Sequence, residues 1–228
     1  MRLSKLYMLL CLLYCPLYSY PVTMTEMYIM LQRVWQNPHN VGGVAPLSSY
    51  VCEEIVSELA TLSSGKPKCY LEVGAGCGTT TEFIVKHLRD CDKLVLVEID
   101  PEMCDFLRDR YQGYNNIQVC CESILNWNSS AHKYDAIIST LPFNSFDLLF
   151  AQKAFETFKR VARSGCKVSY VECPIVKQLG KYFFSYQRRQ QFEEIQSFLD
   201  LKRKDHLIRS KVVYFNLPPI EIHHLYFI

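Results

Sequence analysis

One glycine-rich turn constrains the fold of this 228-residue chain more than any other passage: Leu71-Glu-Val-Gly-Ala-Gly-Cys-Gly-Thr79. A short apolar run, typical of a buried strand, leads into it, and a predicted helix over Thr79–Arg89 follows. Glycines between a strand and a helix let a ligand approach the backbone at the carboxyl edge of an α/β sheet. The spacing G-x-G-x-G differs from the dinucleotide-binding G-x-G-x-x-G, and the lysine of a phosphate loop is missing. The turn is therefore a ligand site of another kind or a simple tight turn.

Strands and helices alternate along the rest of the chain. Besides a strand beginning at Cys69, the pattern predicts further strands and a β-rich end: Lys93–Ile99, Ile117–Cys121, Tyr134–Ser139, Lys167–Cys173 and 207–228. Helices are predicted over Ser49–Leu62, Pro101–Tyr111 (capped by Asp100), Phe146–Ala162 and Lys177–Leu199. Such alternation predicts an α/β fold with a mostly parallel sheet and helices on both faces. A chain of this length suits one such domain.

Acidic side chains stand at the ends of three predicted strands. Glu98 ends the second strand, about 20 residues after the turn, where an α/β fold presents an acid to ribose hydroxyls. Ile99 would give adenine an apolar wall, Glu122 could accept the adenine amino hydrogens, and Glu72 adds a negative charge beside the glycines. Three acids would repel the phosphates of NAD but suit a cationic cofactor without phosphates. S-adenosylmethionine, a sulfonium with an ammonium group, fits that description; the alternative is that each acid is a solvated strand end.

The passage Ser139-Thr-Leu-Pro-Phe-Asn144 follows the fourth strand at the same predicted edge. A rigid Leu-Pro-Phe turn at this place is where amino-methylating enzymes approach their nucleophilic nitrogen, and Phe143 would offer a π-face to a cation. Amino-adenine methylases hold the exocyclic amine with Asn or Asp at the position of Thr140. The other interpretation is a loop packed on the sheet edge. The candidate acceptor residues are Leu141, Pro142, Phe143 and Asn144.

With these motifs in place, the chain resembles the bacterial phospholipid N-methyltransferases, which methylate phosphatidylethanolamine. These are relatives of the ribosomal RNA adenine dimethyltransferases among the seven-stranded, Rossmann-like methyltransferases. The likeness runs through Asn37–Ser49, Leu71–Gly78, Val97–Pro101, Ser139–Asn144 and Asn216–Pro219. It implies S-adenosylmethionine as cofactor and transfer of its methyl group to an amine nitrogen. The cofactor residues that the motifs and this likeness indicate are Glu72, Gly74, Gly76, Gly78, Glu98, Ile99, Glu122, Ser123 and Ser139.

The acceptor remains the open point of the sequence. Thr140 stands where the family has glycine, which adds bulk near the acceptor. Tyr170, Glu172 and Tyr182 are candidate bases, with no choice among them. The alternatives are a ribosomal RNA adenine N6-methyltransferase, a methyltransferase of another small molecule or protein, and a non-catalytic binder. A net charge of only +2 argues against a nucleic-acid substrate.

The chain divides into a hydrophobic amino-terminal segment, 1–23, and a single predicted methyltransferase domain over 24–228. The apolar run Leu6–Tyr20 has the outline of an export signal, but a peripheral anchor or a true start at Met24 are the favoured interpretations. An amphipathic helix is expected over Met24–Gln36, and it could rest on a membrane surface. We expect a cytoplasmic protein, peripheral on the inner membrane face, with export as the alternative. Without paired C-x-x-C ligands, no metal is expected, and the eleven scattered cysteines are read as reduced thiols.

Overall fold

The computed structural model describes residues 47–62, 65–127, 133–174, 186–216 and 218–227. These residues form one sheet of β1 (Cys69–Val73), β2 (Lys93–Glu98), β3 (Ile117–Cys121), β4 (Tyr134–Ser139), β5 (Ala162–Glu172), β6 (Leu207–Val213) and β7 (Ile220–Phe227). The strand order is β3-β2-β1-β4-β5-β7-β6. Strands β1 to β5 are parallel, and β7 runs antiparallel to both of its neighbours. The predicted seven-stranded, mostly parallel, Rossmann-like sheet is confirmed.

Helices cover both faces of this sheet. They are α1 (Ser49–Val56, continued by a 3-10 turn over Ser57–Thr61), α2 (Thr81–Val85), α3 (Pro101–Arg110), α4 (Leu148–Val161) and α5 (Tyr186–His206). Successive side chains of a strand point to opposite faces, so β1, buried throughout, contributes to two cores. Leu71 and Val73 pack with α4 and α5, whereas Tyr70 packs with α1, α2 and α3. The sheet therefore holds its carboxyl edge, where β1, β2 and β4 end, between two rigid layers.

Local signals set several boundaries. The Asp100 carboxylate accepts hydrogen bonds from the backbone N–H groups of Glu102 and Met103, which confirms the predicted cap of α3. The helix predicted over Thr79–Arg89 is much shorter. After Val85 the backbone N–H groups bond three residues back, which tightens the chain into a turn.

The end of the chain also differs from the prediction in its details. Strand β5 begins at Ala162, ahead of the predicted Lys167, because its first residues pair with β4 through an irregular register. Helix α5 extends to His206 rather than Leu199, and the expected pair of strands around Pro218-Pro219 is present as β6 and β7. The predictions on 1–23 and Met24–Gln36 lie outside the described residues. Within the described ranges, no helix combines the length and apolar character that crossing a bilayer requires.

Candidate functional site

The glycine turn is packed on its flanks and open in its middle. All three glycines have positive φ, at +77° for Gly74, +55° for Gly76 and +84° for Gly78. A Cβ on Gly74 would lie 3.1 Å from Leu141 Cδ2, so this residue must stay small for the loop after β4 to approach. A Cβ on Gly76 would meet no atom within 4 Å. The turn therefore presents bare backbone to open space at Gly76, as a cofactor cradle requires.

Glu98, at the end of β2, organises this turn. Its Oε2 accepts a hydrogen bond of 2.8 Å from the Gly76 backbone N–H, and its Oε1 accepts from the N–H groups of Ile99 (2.8 Å) and Asp100 (3.0 Å). The side chain is buried, yet Oε2, which accepts only one of these bonds, has a second lone pair for a ribose hydroxyl. The predicted ribose acid is thus also the group that fixes the glycine turn against β2.

Glu72 behaves differently from the sequence expectation of a negative charge. Its carboxyl is fully buried beneath the turn, where Oε2 accepts a 2.6 Å hydrogen bond from the Thr81 hydroxyl. Its Oε1 has no hydrogen-bond partner among the described residues. Burial, with a smaller contribution from the nearby Glu98 charge, raises the pKa of this carboxyl to about 8, despite the lowering effect of the Thr81 bond. At neutral pH the protonated form therefore dominates, and Glu72 is not a fixed negative charge.

We expect Glu72→Gln to flatten the dependence of stability on pH. In an unfolded chain this carboxyl has a pKa of 4.5, so between about pH 4.5 and 8 only the folded chain keeps the proton. The free energy of unfolding of the wild type should therefore fall as the pH rises through this window, by an amount on the order of 3–5 kcal/mol. Urea unfolding at about pH 5, 7 and 9 measures this. Parallel pH curves for wild type and variant would show that Glu72 titrates normally.

The remaining cofactor candidates line the ends of β2 and β3. The two strands are in register, with Glu98 beside Cys121, and the Glu122 backbone N–H donates to the Glu98 carbonyl oxygen at 2.9 Å. Ile99 is 66% exposed, an unusual position for an isoleucine unless a ligand covers it. Glu122 is exposed, and the Ser123 hydroxyl oxygen accepts the Leu125 N–H. This edge has an apolar side chain beside an acid, and its role in binding adenine stays a prediction.

The acceptor loop, Ser139–Asn144, is joined directly to the glycine turn. The Thr140 backbone N–H donates to the Val73 carbonyl at 3.1 Å, and the Thr140 hydroxyl donates to the Gly74 carbonyl at 2.7 Å. Ser139 is fully buried, and its hydroxyl oxygen accepts from the Leu141 N–H. The Thr140 hydroxyl therefore points to the glycine turn, and the expectation that this residue adds bulk near the acceptor stays a prediction.

Phe143 is also placed differently from the sequence interpretation. Its ring is fully buried and lies 5.3 Å from the Phe155 ring and 5.8 Å from the Tyr170 ring, centroid to centroid. An aromatic side chain next to a sheet end gains more from such packing than from exposure. Phe143 therefore offers no open π-face to a cation, and its ring anchors the acceptor loop in the core. Leu141 and Pro142 are half-buried at the edge.

Behind Asn144 lies a buried polar network that the sequence reasoning missed. Gln196 of α5 donates to Asn144 Oδ1 at 2.8 Å and to Glu172 Oε2 at 3.1 Å, and Arg203 and His223 also contact Glu172. One signal was available. Gln196 is a polar residue on the apolar stripe of α5, whose other buried members are Phe192, Ile195 and Leu199.

The candidate bases are held within this same network. Arg203 donates to the Tyr170 hydroxyl at 3.1 Å, and burial raises the pKa of Tyr170 well above its usual range. Glu172 is ion-paired with Arg203. Neither group faces the glycine turn with a free proton acceptor, and Tyr182 lies outside the described residues.

A cavity of about 570 Å³ opens on the far side of the network, between β5, β7 and the end of α5. Glu172, Arg203 and His223 line it together with Ser210 and Glu221, and no predicted cofactor residue does. It is therefore separate from the glycine turn. In the part of the chain that the structure describes, no cluster of His, Cys, Asp or Glu could hold a metal ion, and the nine cysteines there are free thiols.

The sequence of this chain is similar to those of known methyltransferases. Residues 71–165 match the family model described as a methyltransferase domain. Ribosomal RNA small subunit methyltransferase A of Coxiella burnetii is 34% identical over 106 residues, which are 45% of this chain and 39% of that protein. The chain thus spans well under half of that relative's length. The ornithine lipid N-methyltransferase of Singulisphaera acidiphila is 23% identical over 161 residues, 68% of this chain and 82% of that protein.

A solved structure shares the fold over most of its length. It is the N-methyltransferase NodS from Bradyrhizobium japonicum WM9 in complex with S-adenosyl-l-homocysteine, with a TM-score of 0.59 and 16% identity over 88% of this chain and 98% of that chain. The chain therefore has the class I S-adenosylmethionine-dependent methyltransferase fold, within which residues 71–165 match a methyltransferase domain. The cofactor of that fold is S-adenosylmethionine, as the acids predicted. The bare Gly76 backbone and the exposed Ile99 both fit an adenosine compound.

Proposed function

We propose that this chain is an S-adenosylmethionine-dependent N-methyltransferase that acts on the amine of a phospholipid head group such as phosphatidylethanolamine. The observation that carries the proposal is the hydrogen bond from the Thr140 hydroxyl to the Gly74 carbonyl. It holds the acceptor loop against the cofactor turn, so an amine bound at the loop stands next to the cofactor site. Positioning of this kind is the main contribution that an enzyme makes to a displacement reaction.

Each candidate residue has a task in this reaction. When bound, S-adenosylmethionine supplies an electrophilic methyl group on a sulfonium. Glu98 would hold the ribose, Ile99 and Glu122 the adenine, and the backbone around Gly76 the amino-acid end. Leu141 and Pro142 would shape the acceptor entrance and exclude water. Because Tyr170 and Glu172 are both bonded to Arg203, we assign neither of them to remove the proton of the lipid ammonium.

Two observations favour a lipid amine. The ornithine lipid relative is matched along 82% of its length, whereas the ribosomal RNA relative is matched along 39%. The near-neutral net charge of +2 also lacks the excess of cations with which proteins neutralise RNA phosphates. Peripheral contact with the inner face of the membrane is part of the proposal, since a lipid head group is presented there.

Ribosomal RNA adenine is the second candidate acceptor. The 34% identity with the Coxiella enzyme over the shared 106 residues favours it. Against it stands the residue type at Thr140, a hydroxyl in place of the Asn or Asp with which amino-adenine methylases hold the exocyclic amine.

The deciding experiment offers methyl-labelled S-adenosylmethionine with three acceptors. These are liposomes of phosphatidylethanolamine, matched liposomes of phosphatidylcholine, whose nitrogen is already fully methylated, and ribosomal RNA. We expect label in phosphatidylethanolamine and none in phosphatidylcholine. Label in RNA alone would refute the lipid proposal and support the second candidate.

A further inference from the structure

Gln196 connects the acceptor loop to the end of β5. Its Nε2 lies 2.8 Å from Asn144 Oδ1 and 3.1 Å from Glu172 Oε2, and all three side chains are more than nine-tenths buried. Three elements meet here: the 3-10 turn Phe143–Ser145, helix α5 and strand β5. One amide group therefore bridges two parts of the chain that no backbone hydrogen bond joins among the described residues.

The charge of Glu172 determines which way this amide points. Burial alone would raise the pKa of the Glu172 carboxyl, but the hydrogen bond from His223 and the charge of Arg203 hold the pKa below its usual range. An ionised carboxylate only accepts hydrogen bonds, so Gln196 must turn its N–H group toward it. The Gln196 carbonyl oxygen is consequently buried without a partner among the described residues, an arrangement imposed by Glu172.

The same reasoning extends to Asn144. The second hydrogen of Gln196 Nε2 can be donated only to an acceptor, which fixes Asn144 with Oδ1 toward Gln196. Its Nδ2 group is then left over. This group makes no hydrogen bond with the described residues. It is also not one of the polar atoms there that are both fully buried and without a partner. The Asn144 side chain thus keeps a pair of N–H donors and has its only acceptor oxygen engaged by Gln196.

We propose that Gln196 is a positioning residue that fixes Asn144 as a hydrogen-bond donor, and that this selects amine substrates with an oxygen acceptor beside the nitrogen. This rests on the proposed function, since it concerns the acceptor side of the same site. A phosphate or hydroxyl oxygen two carbons from the amine has the required chemistry, and a plain alkylamine lacks it. An adenine amine, which needs an acceptor from the protein, is disfavoured by the same polarity.

Two variants distinguish the presence of the two Gln196 hydrogen bonds from the direction in which the Asn144 amide points. Gln196→Leu removes both hydrogen bonds. Gln196→Glu places a second carboxyl beside Glu172, and two such groups share one proton. Because Arg203 and His223 hold Glu172 ionised, the proton stays on the new side chain, which donates it to Glu172. The other oxygen of the new carboxyl then accepts from Asn144 Nδ2. The hydrogen-bonded link between the acceptor loop and β5 therefore remains, but the Asn144 amide is reversed.

The first measurement is hydrogen exchange of the Phe143 and Ser145 backbone amides, which bond to carbonyls within the loop. We expect about tenfold faster exchange in Gln196→Leu, and wild-type exchange in Gln196→Glu and in the matched control Ser197→Ala, whose side chain is exposed on the same helix. Unchanged exchange in Gln196→Leu would overturn the positioning role, whether or not the chain methylates lipids.

The second measurement is methyl transfer to three liposome-borne amines: phosphatidylethanolamine, sphingosine and octadecylamine. The wild type should prefer the first two by about tenfold in kcat/KM, since they carry a phosphate and a hydroxyl oxygen respectively. Gln196→Glu should lose this preference while its loop stays protected. Preference for octadecylamine in the wild type, or a preference unaltered in Gln196→Glu, would overturn the selection. Absence of label in every lipid refutes the proposed function and the selection together, while the exchange result stands separately.

Discussion

Glu98→Ala should lower the affinity for S-adenosylmethionine by at least about 100-fold. The Glu98 carboxylate accepts from the backbone N–H groups of Gly76, Ile99 and Asp100, so its loss releases the glycine turn from β2 as well as removing the proposed ribose contact. Hydrogen bonds to a charged group are worth about 1.5–3 kcal/mol each, and losing two of them accounts for this factor. Titration calorimetry with the cofactor or its demethylated product measures the change.

Two controls accompany this variant. Glu98→Gln keeps one acceptor oxygen, enough for the N–H groups of Ile99 and Asp100, but loses the other oxygen and the charge, and we expect an intermediate affinity. Glu156→Ala removes an exposed acid from the middle of α4. This variant should bind S-adenosylmethionine with the affinity of the wild type. Wild-type affinity in Glu98→Ala would mean that the cofactor lies elsewhere.

Phe143→Ala should destabilise the fold by about 3–5 kcal/mol, the usual effect of truncating a fully buried aromatic ring. The ring packs among Phe155, Phe158 and Tyr170, so its removal leaves a cavity between α4 and β5. Urea unfolding, read as a shift of the midpoint at constant slope, measures the effect.

The comparison variants distinguish a core position from a substrate contact. Tyr214→Ala truncates an exposed aromatic residue and should change stability by less than about 0.5 kcal/mol. Phe143→Leu refills most of the volume and should recover most of the stability. If Phe143→Ala unfolds at the wild-type urea concentration but loses methyl transfer, the ring faces the substrate and the packing described above is wrong.

Much of the fold follows from local signals. The bounds of β3 and β4 match the prediction because each is a short apolar run between polar turns, and α3 begins where Asp100 can cap it. The glycine turn is equally local, since Gly74, Gly76 and Gly78 all adopt the positive φ that side chains disfavour. These features need only neighbours in the chain.

The parts of the site that depend on distant contacts were not predictable in the same way. The sequence places Phe143 in a loop, but only the approach of α4 decides that its ring enters the core. Glu72 stands beside the glycines, yet its complete burial beneath the turn raises its pKa. The network around Gln196 joins residues from four elements, which no spacing pattern reveals.

The most direct measurement of the central claim is binding of S-adenosylmethionine, its demethylated product and NAD to the wild-type chain by titration calorimetry. With acids at Glu98 and Glu122 and no phosphate-binding lysine after the glycines, we expect one equivalent of either adenosine compound to bind and NAD to give no heat. Binding of NAD without binding of S-adenosylmethionine would contradict the assignment of this sheet edge.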